Sequence, residues 1–262
     1  MRLAISIPAV ISGVPVPDAE NPLIAAPTAR AVVSVSIEEC GEPAVEAPPL
    51  PGGASGALRG FWARLSEGLS ARLCASLDLE AVHGRPGPAG LYAAATVALL
   101  HALARRHGDV MTSGEIVEIA RLADPFDYTG IAGWAGVMDA LRYSAATGRV
   151  VAWRNDEDHG DIAEGGAGLR FRSPRPPARP RVERGRLGGD VYSAIIRLAG
   201  VATLSAAVRI RDGEDPLEAV WTYKPVDEAM ALLLWGATPP GEDCILSPGL
   251  PGVFEEHCRG EA

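Results

Sequence analysis

The sequence predicts an α+β protein that combines an antiparallel sheet with several helices. Three patterns support this class: alternating apolar residues near the N-terminus, apolar residues at helical spacing further on, and an alanine-rich helix that follows a strand and a glycine-containing turn. The chain has 262 residues, of which 47% are hydrophobic, so it can bury the core of one large domain or two small ones.

The N-terminal elements are predicted to be mostly strands. Residues 1–13 predict a first strand, which a proline-rich turn follows. In residues 31–37, valine and isoleucine alternate with serine, and this indicates a half-buried strand of an antiparallel sheet. Apolar residues at helical spacing over residues 58–73 and renewed alternation over residues 77–81 predict a helix that leads into a third strand.

A turn rich in glycine and proline at residues 86–90 leads into an alanine-rich helix that ends near Gly108. Free N–H groups and the positive dipole end at the start of a helix attract phosphate, and glycine lets an anion approach the backbone. A helix also needs a turn in front of it for structural reasons alone. The pattern therefore permits both a phosphate cradle and a purely structural turn.

The next segments predict two more elements. Residues 112–115 fit a capping box that opens a short helix, which ends at Asp124 and Pro125. A glycine-rich passage then carries Asp139, which we place where a loop meets an ordered element. Residues 148–154 predict a strand.

Residues 155–189 are rich in arginine, proline and glycine and cannot bury much apolar surface. We interpret this segment as a solvated linker; a basic flap over an anionic substrate and a small RNA-contacting arm are the alternatives. The chain is thus divided into an N-terminal domain over residues 1–154 with the phosphate loop, a linker or flap over residues 155–189, and a small C-terminal domain over residues 190–262.

The C-terminal domain is predicted to contain short helices and one strand. Helix-like stretches occupy residues 191–198, 217–221 and 226–234, and Pro225 suits the first turn of the last one. A terminal strand follows at residues 243–246.

Composition limits the possible partners. With 33 acidic residues against 24 lysines and arginines, the net charge of −9 disfavours a general nucleic-acid binder and favours a small-molecule substrate. No apolar run reaches the roughly 18–20 residues of a membrane span, and the N-terminus predicts a strand rather than a signal peptide. We therefore expect a cytoplasmic protein without a membrane partner, and its oligomeric state is not predicted.

The four cysteines are scattered along the chain without a CxxC spacing. Such spacing suits neither a zinc site nor a disulfide framework, so we expect four reduced thiols.

Four segments, in the same order along the chain, resemble motifs of the GHMP kinases, the small-molecule kinases named for galactose, homoserine, mevalonate and phosphomevalonate. Residues 8–37 resemble the first hairpin of the family and residues 88–95 its phosphate loop. Residues 133–139 are similar to the segment that carries the catalytic aspartate, and residues 236–246 to a thinned C-terminal glycine motif. The resemblance implies a two-lobed GHMP-kinase-like fold, with a ribosomal S5 domain 2-like N-terminal part and a smaller α/β C-terminal part.

The resemblance also implies an activity, the ATP- and Mg²⁺-dependent phosphorylation of a small hydroxy acid. The C-terminal match favours a mevalonate- or phosphomevalonate-type acceptor, and residues 8–13 make a pantoate kinase an alternative. By position, Asp139 would be the catalytic base, or else a helix cap. Asp124 would be a magnesium ligand, or else a residue that closes a helix before Pro125. The implied phosphate cradle consists of Pro88, Ala89, Gly90, Leu91, Tyr92 and Thr96.

Several positions depart from the family pattern. Tyr92, Ala93 and Ala94 stand where the family has Gly-Ser-Ser, which removes a hydroxyl that helps to hold phosphate and metal. Val10 stands where a lysine is often found, and Lys224, the only lysine, is far along the chain. The alternative is therefore a non-catalytic binding or regulatory protein on the same fold, with a degenerate ATP site.

Overall fold

A computed structural model of the chain contains nine strands and six helices among the residues it describes. The described residues are 2–16, 19–50, 53–81, 86–126, 128, 133–166, 168–171 and 189–259. They form a larger sheet, a smaller sheet and helices that pack against both, which is the predicted α+β class.

The larger sheet is organised around one long strand. Its members are β1 (Arg2–Ser12), β2 (Leu23–Glu39), β3 (Ala44–Glu46), β4 (Leu73–Ala81), β5 (Val150–Trp153) and β6 (His159–Ala163). Strand β2 pairs antiparallel with β1, β4 and β5, β6 extends the sheet beyond β5, and β3 joins β4 in parallel. Strand β2 extends beyond the predicted residues 31–37, because its first part pairs with β1 and β5.

Four helices belong to this part of the chain: α1 (Ala54–Gly68), α2 (Pro88–His107), α3 (Ser113–Arg121) and α4 (Trp134–Thr147). The predicted end of α2 is confirmed, since Gly108 closes the helix with a left-handed φ of 74°. The predicted capping box is present as well: the N–H of Glu115 donates to the Thr112 hydroxyl, and the N–H of Thr112 donates to the Glu115 carboxylate.

The C-terminal part combines α5 (Gly189–Arg211), α6 (Pro216–Trp235) and a small sheet of β7 (Leu169–Phe171), β9 (Phe254–Arg259) and β8 (Cys244–Pro248). The prediction of separate helices around Pro225 is wrong, because this proline lies inside the continuous helix α6. The helix begins earlier, where the Asp215 carboxylate accepts the N–H groups of Leu217 and Glu218. Strand β9 was not predicted.

The predicted linker over residues 155–189 contributes to both sheets. Its strand β6 pairs with β5 in the larger sheet, and β7 pairs with β9 in the smaller one. Residues 172–188, which carry most of the arginine and proline, lie outside the described residues. The domain boundaries therefore stay a prediction.

The expectation of four reduced thiols is wrong for this structure, which contains two disulfides. Cys40 is bonded to Cys74 and Cys244 to Cys258, with Cα atoms 5.7 and 3.8 Å apart. The partners are 34 and 14 residues apart in sequence. They meet because β2 pairs with β4 and β8 pairs with β9, and this pairing is not visible in the cysteine spacing.

Helix α5 corrects a further expectation. By length and composition it could cross a membrane, although no apolar run was expected to be long enough. In the protein, 39% of that stretch is buried. Its apolar residues Val191, Leu198, Val201, Leu204 and Val208 are about half exposed.

Helix α2 lies directly on β1 at Gly90. A Cβ atom added at this position would lie 2.1 Å from the carbonyl oxygen of Pro8, closer than a real Cβ contact allows. Gly90 is therefore required for the close approach of helix and strand.

A buried carboxylate joins α6 to the end of β1. Asp227 is 8% exposed, and its Oδ2 accepts hydrogen bonds from the Ser12 hydroxyl at 2.8 Å and from the Gly13 N–H at 2.9 Å. Burial raises the pKa of Asp227 to about 6, although the two hydrogen bonds lower it. Its Oδ1 has no hydrogen-bond partner within the described chain.

We expect Gly90→Ala to destabilise the protein by about 1–3 kcal/mol, because α2 would have to move away from β1. Gly114→Ala is the matched control, since a Cβ atom at Gly114 of α3 would meet open space. Urea unfolding of both variants measures the difference. A Gly90→Ala protein as stable as the wild type would show that the contact between α2 and β1 adjusts freely.

Asp227 predicts a pH dependence of stability. Because its pKa is higher in the folded than in the unfolded protein, its contribution is fully present below about pH 4 and is lost as the pH rises through about 6. We expect the free energy of unfolding to fall by up to about 3 kcal/mol over this window. Asp227→Asn should flatten the profile, whereas Asp212→Asn at an exposed site should not; a slope unchanged in Asp227→Asn would contradict the assignment.

Candidate active site

Asp139 lies inside α4, on the face of this helix that opens to a cavity. It is in the second turn, so the interpretation of Asp139 as a helix cap at the edge of a loop is wrong. Gly133, at the start of α4, has a left-handed φ of 93°, and a Cβ atom there would lie 2.5 Å from the Val16 carbonyl oxygen. This close contact places the start of α4 against the segment that follows β1.

The cavity beside Asp139 has a volume of about 520 Å³. Its walls come from α4, the end of α3, residues 19–21 and the segment that begins at Trp153. Its polar lining carries charges of both signs and two amides: Arg121, Arg154, Glu20, Asp139, Asp156, Asn21 and Asn155. A cavity of this size and polarity suits a small, charged molecule.

Arg121 holds the Asp139 carboxylate with two hydrogen bonds. Its Nε donates to Oδ1 at 3.1 Å and its Nη2 donates to Oδ2 at 3.0 Å, while its Nη1 also donates to Asp156 at 3.0 Å. Burial raises the pKa of Asp139, which is 7% exposed, and the hydrogen bonds from Arg121 oppose this rise. The hydrogen bond from Arg121 lowers the pKa of Asp156. Such bidentate pairing fixes the orientation of the Asp139 carboxylate.

A second, deeper arginine connects Asp139 to Asp124. Arg142 is fully buried, and its Nη1 lies 3.8 Å from Asp139 Oδ1. The same guanidinium donates to both oxygens of Asp124, and the Tyr128 hydroxyl donates to Asp124 Oδ2 at 3.0 Å. Asp124 is thus engaged by protein partners, and its role as a magnesium ligand stays a prediction.

Two residues of the predicted phosphate cradle point into the protein. Tyr92 is fully buried, its hydroxyl donates to the Ala123 carbonyl oxygen, and its ring packs edge-on against Phe126. Thr96 is also buried, and its hydroxyl donates to the carbonyl oxygens of Tyr92 and Ala93 within α2. Tyr92 therefore contributes to the core, and the Thr96 hydroxyl is used inside the helix.

The N-terminus of α2 holds an anion that belongs to the protein itself. The N–H of Ala89 donates to Oε1 of Glu255 at 3.3 Å, and Glu255 is 3% exposed. A Cβ atom at Gly87 would lie 1.8 Å from Glu255 Oε2, and one at Gly249 would lie 2.5 Å from Oε1. The start of α2 is thus occupied by the Glu255 carboxylate, and its role as a phosphate cradle stays a prediction.

The sequence analysis missed both Glu255 and Arg121 as residues of the site. Neither lies in one of the four family-like segments, and no local pattern distinguishes them from solvated charges. Gly236, which we compared with a C-terminal glycine motif, closes α6 with a φ of 68°. The glycine that lies close to the start of α4 is Gly249, whose carbonyl oxygen accepts the Trp134 Nε1–H at 3.0 Å.

No protein-family model and no curated protein matches the sequence. Solved structures, in contrast, match almost the whole chain. Mevalonate kinase from methicillin-resistant Staphylococcus aureus is 16% identical with a TM-score of 0.58, over 99% of this chain and 90% of that one. Methanococcus jannaschii mevalonate kinase is 9% identical with a TM-score of 0.61, again over 99% and 90%.

Streptococcus pneumoniae phosphomevalonate kinase, in complex with phosphomevalonate and AMPPNP, is 7% identical with a TM-score of 0.60. The match covers 100% of this chain and 93% of that one. Mevalonate diphosphate decarboxylases are matched as well, so the architecture accommodates more than one named activity. The four family-like segments, the α+β architecture and these matches lead to one conclusion: the chain has the fold of the GHMP kinase superfamily.

Proposed function

We propose that the protein is an ATP-dependent kinase of the GHMP type that phosphorylates a small hydroxy acid. The observation that carries the proposal is the cavity of about 520 Å³ beside Asp139, in a fold shared with kinases of such acids. Among the matched structures, L. major mevalonate kinase is in complex with R-mevalonate. A mevalonate- or phosphomevalonate-like acceptor is therefore the first candidate.

Asp139 would orient the acceptor hydroxyl and take its proton. Arg121 fixes the carboxylate through both oxygens, and Arg142 approaches from the other side. These two guanidinium groups favour the ionised form of Asp139, which burial alone would disfavour. An ionised, fixed carboxylate can accept a proton only from a hydroxyl placed beside it, and the cavity provides that place.

Arg154 would bind the acid group of the acceptor. Its side chain is 52% exposed, lines the cavity and lies 3.4 Å from Asp158. A carboxylate or phosphate in the cavity could replace Asp158 as the partner of Arg154. The cost in free energy would be small, because exposed ion pairs contribute little to stability. Bidentate geometry makes arginine well suited to carboxylate and phosphate.

ATP would supply the phosphoryl group, with Mg²⁺ as its counterion. Ala89 and the residues around it would hold phosphate once Glu255 had left the start of α2. Asp124 stays the predicted magnesium ligand, although Arg142 and Tyr128 bind it in this structure.

A second candidate function is metabolite binding without phosphoryl transfer. Glu255 at the phosphate position favours this function, as does Val10 where kinases of this family often have lysine. In this case the cavity beside Asp139 would bind a small acid, and ATP would not be consumed.

The proposed activity is tested by measuring ATP consumption with mevalonate, phosphomevalonate, pantoate and homoserine. We expect turnover with one of these acids, and a loss of at least about 100-fold in Asp139→Asn, because the proton acceptor is removed. Asp212→Asn, on an exposed site after α5, is the control. Turnover that survives in Asp139→Asn would remove this residue from the mechanism.

Acceptor binding is tested separately by calorimetry without ATP. We expect Arg154→Gln to weaken binding of the acid by about tenfold or more, through loss of a charge-assisted hydrogen bond. Arg72→Gln, at an exposed site outside the cavity, should bind as the wild type does. Acid binding without any ATP consumption would support the second candidate, whereas equal affinities of Arg154→Gln and wild type would contradict the role of Arg154.

A further inference from the structure

We infer that Glu255 is the residue that closes the nucleotide site: its carboxylate takes the place of a phosphate at the N-terminus of α2 and competes with ATP for it. The inference rests on the proposed function, because that function names ATP as the ligand. It goes further in assigning the closure to one side chain, which comes from the last strand of the chain.

The start of α2 has no anion of its own. Its N-cap residue, Gly87, offers no side-chain acceptor, and its first turn contains no acidic residue. Glu255 is 166 residues away in sequence, and it accepts the N–H of Ala89. A remote side chain therefore provides the negative charge that a helix N-terminus favours.

The space around the carboxylate is shaped to hold it. Gly87 and Gly249 flank it on two sides, and a Cβ atom on either glycine would overlap with Glu255. Nε2 of His257, which is also buried, lies 3.3 Å from Glu255 Oε2. A carboxylate with 3% exposure needs such partners, because burial without them would be costly.

The hairpin that carries Glu255 is anchored on both sides of this residue. At its open end, the disulfide between Cys244 and Cys258 connects β8 to β9. Near its turn, Trp134 of α4 donates to the Gly249 carbonyl oxygen and packs edge-on against Phe254, with ring centroids 5.3 Å apart. The carboxylate is thus presented to α2 by a fixed element.

Competition follows from charge and geometry. A phosphate at the same N–H groups would meet a second anion within contact distance, and both would need the same donors. Neutralising Glu255 removes the charge repulsion, and the uncharged amide oxygen of a glutamine is a weaker acceptor that a phosphate oxygen can displace from the N–H groups of α2.

The test is calorimetric titration of the full chain with Mg-ATP and, separately, with tripolyphosphate. We expect Glu255→Gln to bind both probes at least about tenfold more tightly than the wild type. Glu256→Gln is the matched control. It is the next residue on β9, its side chain points to the opposite face, and its Oε1 accepts the Gly241 N–H at 3.2 Å. We expect this control to bind both probes as the wild type does.

Equal affinities of Glu255→Gln and wild type for either probe would overturn the inference, and so would an equal gain in Glu256→Gln. If circular dichroism shows that Glu255→Gln does not fold, Glu255→Asp replaces it. Its carboxylate is one methylene shorter and withdraws from Ala89, so its affinity should still exceed that of the wild type.

Calorimetry with the acceptor acids on the same variants separates the two hypotheses. If the acids bind and Glu255→Gln gains no affinity for ATP, only the inference on Glu255 fails. If Glu255→Gln binds ATP but no acid binds or is phosphorylated, only the proposed function fails.

Discussion

The first N–H groups of α2 need acceptors, and this need connects α2 to the last strand of the chain. The helix is buried along nearly all of its length, and its first turn carries no acidic side chain of its own. Glu255 of the last strand accepts the N–H of Ala89. The hairpin that carries Glu255 is held beside α2 by further contacts, among them the hydrogen bond from Trp134 to the Gly249 carbonyl oxygen.

The C-terminal part therefore completes the N-terminal part through buried carboxylates. Asp227 binds the end of β1 at Ser12 and Gly13, and Glu255 binds the start of α2. Both side chains are almost fully buried, and each accepts backbone N–H groups that a glycine-containing turn leaves available. Such contacts are directional, so they define how the C-terminal part docks more sharply than apolar packing alone would.

Around Asp139, the site uses charges of both signs in a continuous chain of contacts. Three carboxylates, Asp124, Asp139 and Asp156, alternate with the guanidinium groups of Arg142 and Arg121. Burial raises the pKa of Asp139, Arg121 and Arg142 oppose this rise, and the bidentate contact with Arg121 orients the carboxylate at the wall of a cavity. In the same network, both oxygens of Asp124 accept hydrogen bonds from Arg142.

The sequence by itself determined the α+β class, the C-terminal end of α2, the capping box of α3 and the fold family, because these depend on local periodicity, caps and the order of short segments. It also singled out Asp139 and the anion-accepting start of α2. Only the tertiary structure decided which groups surround them. Arg121 is 18 residues from Asp139 and Glu255 is 166 from Ala89, and the cysteines pair across strands. Contacts at such separations arise from strand register and helix docking, and a local pattern carries no record of either.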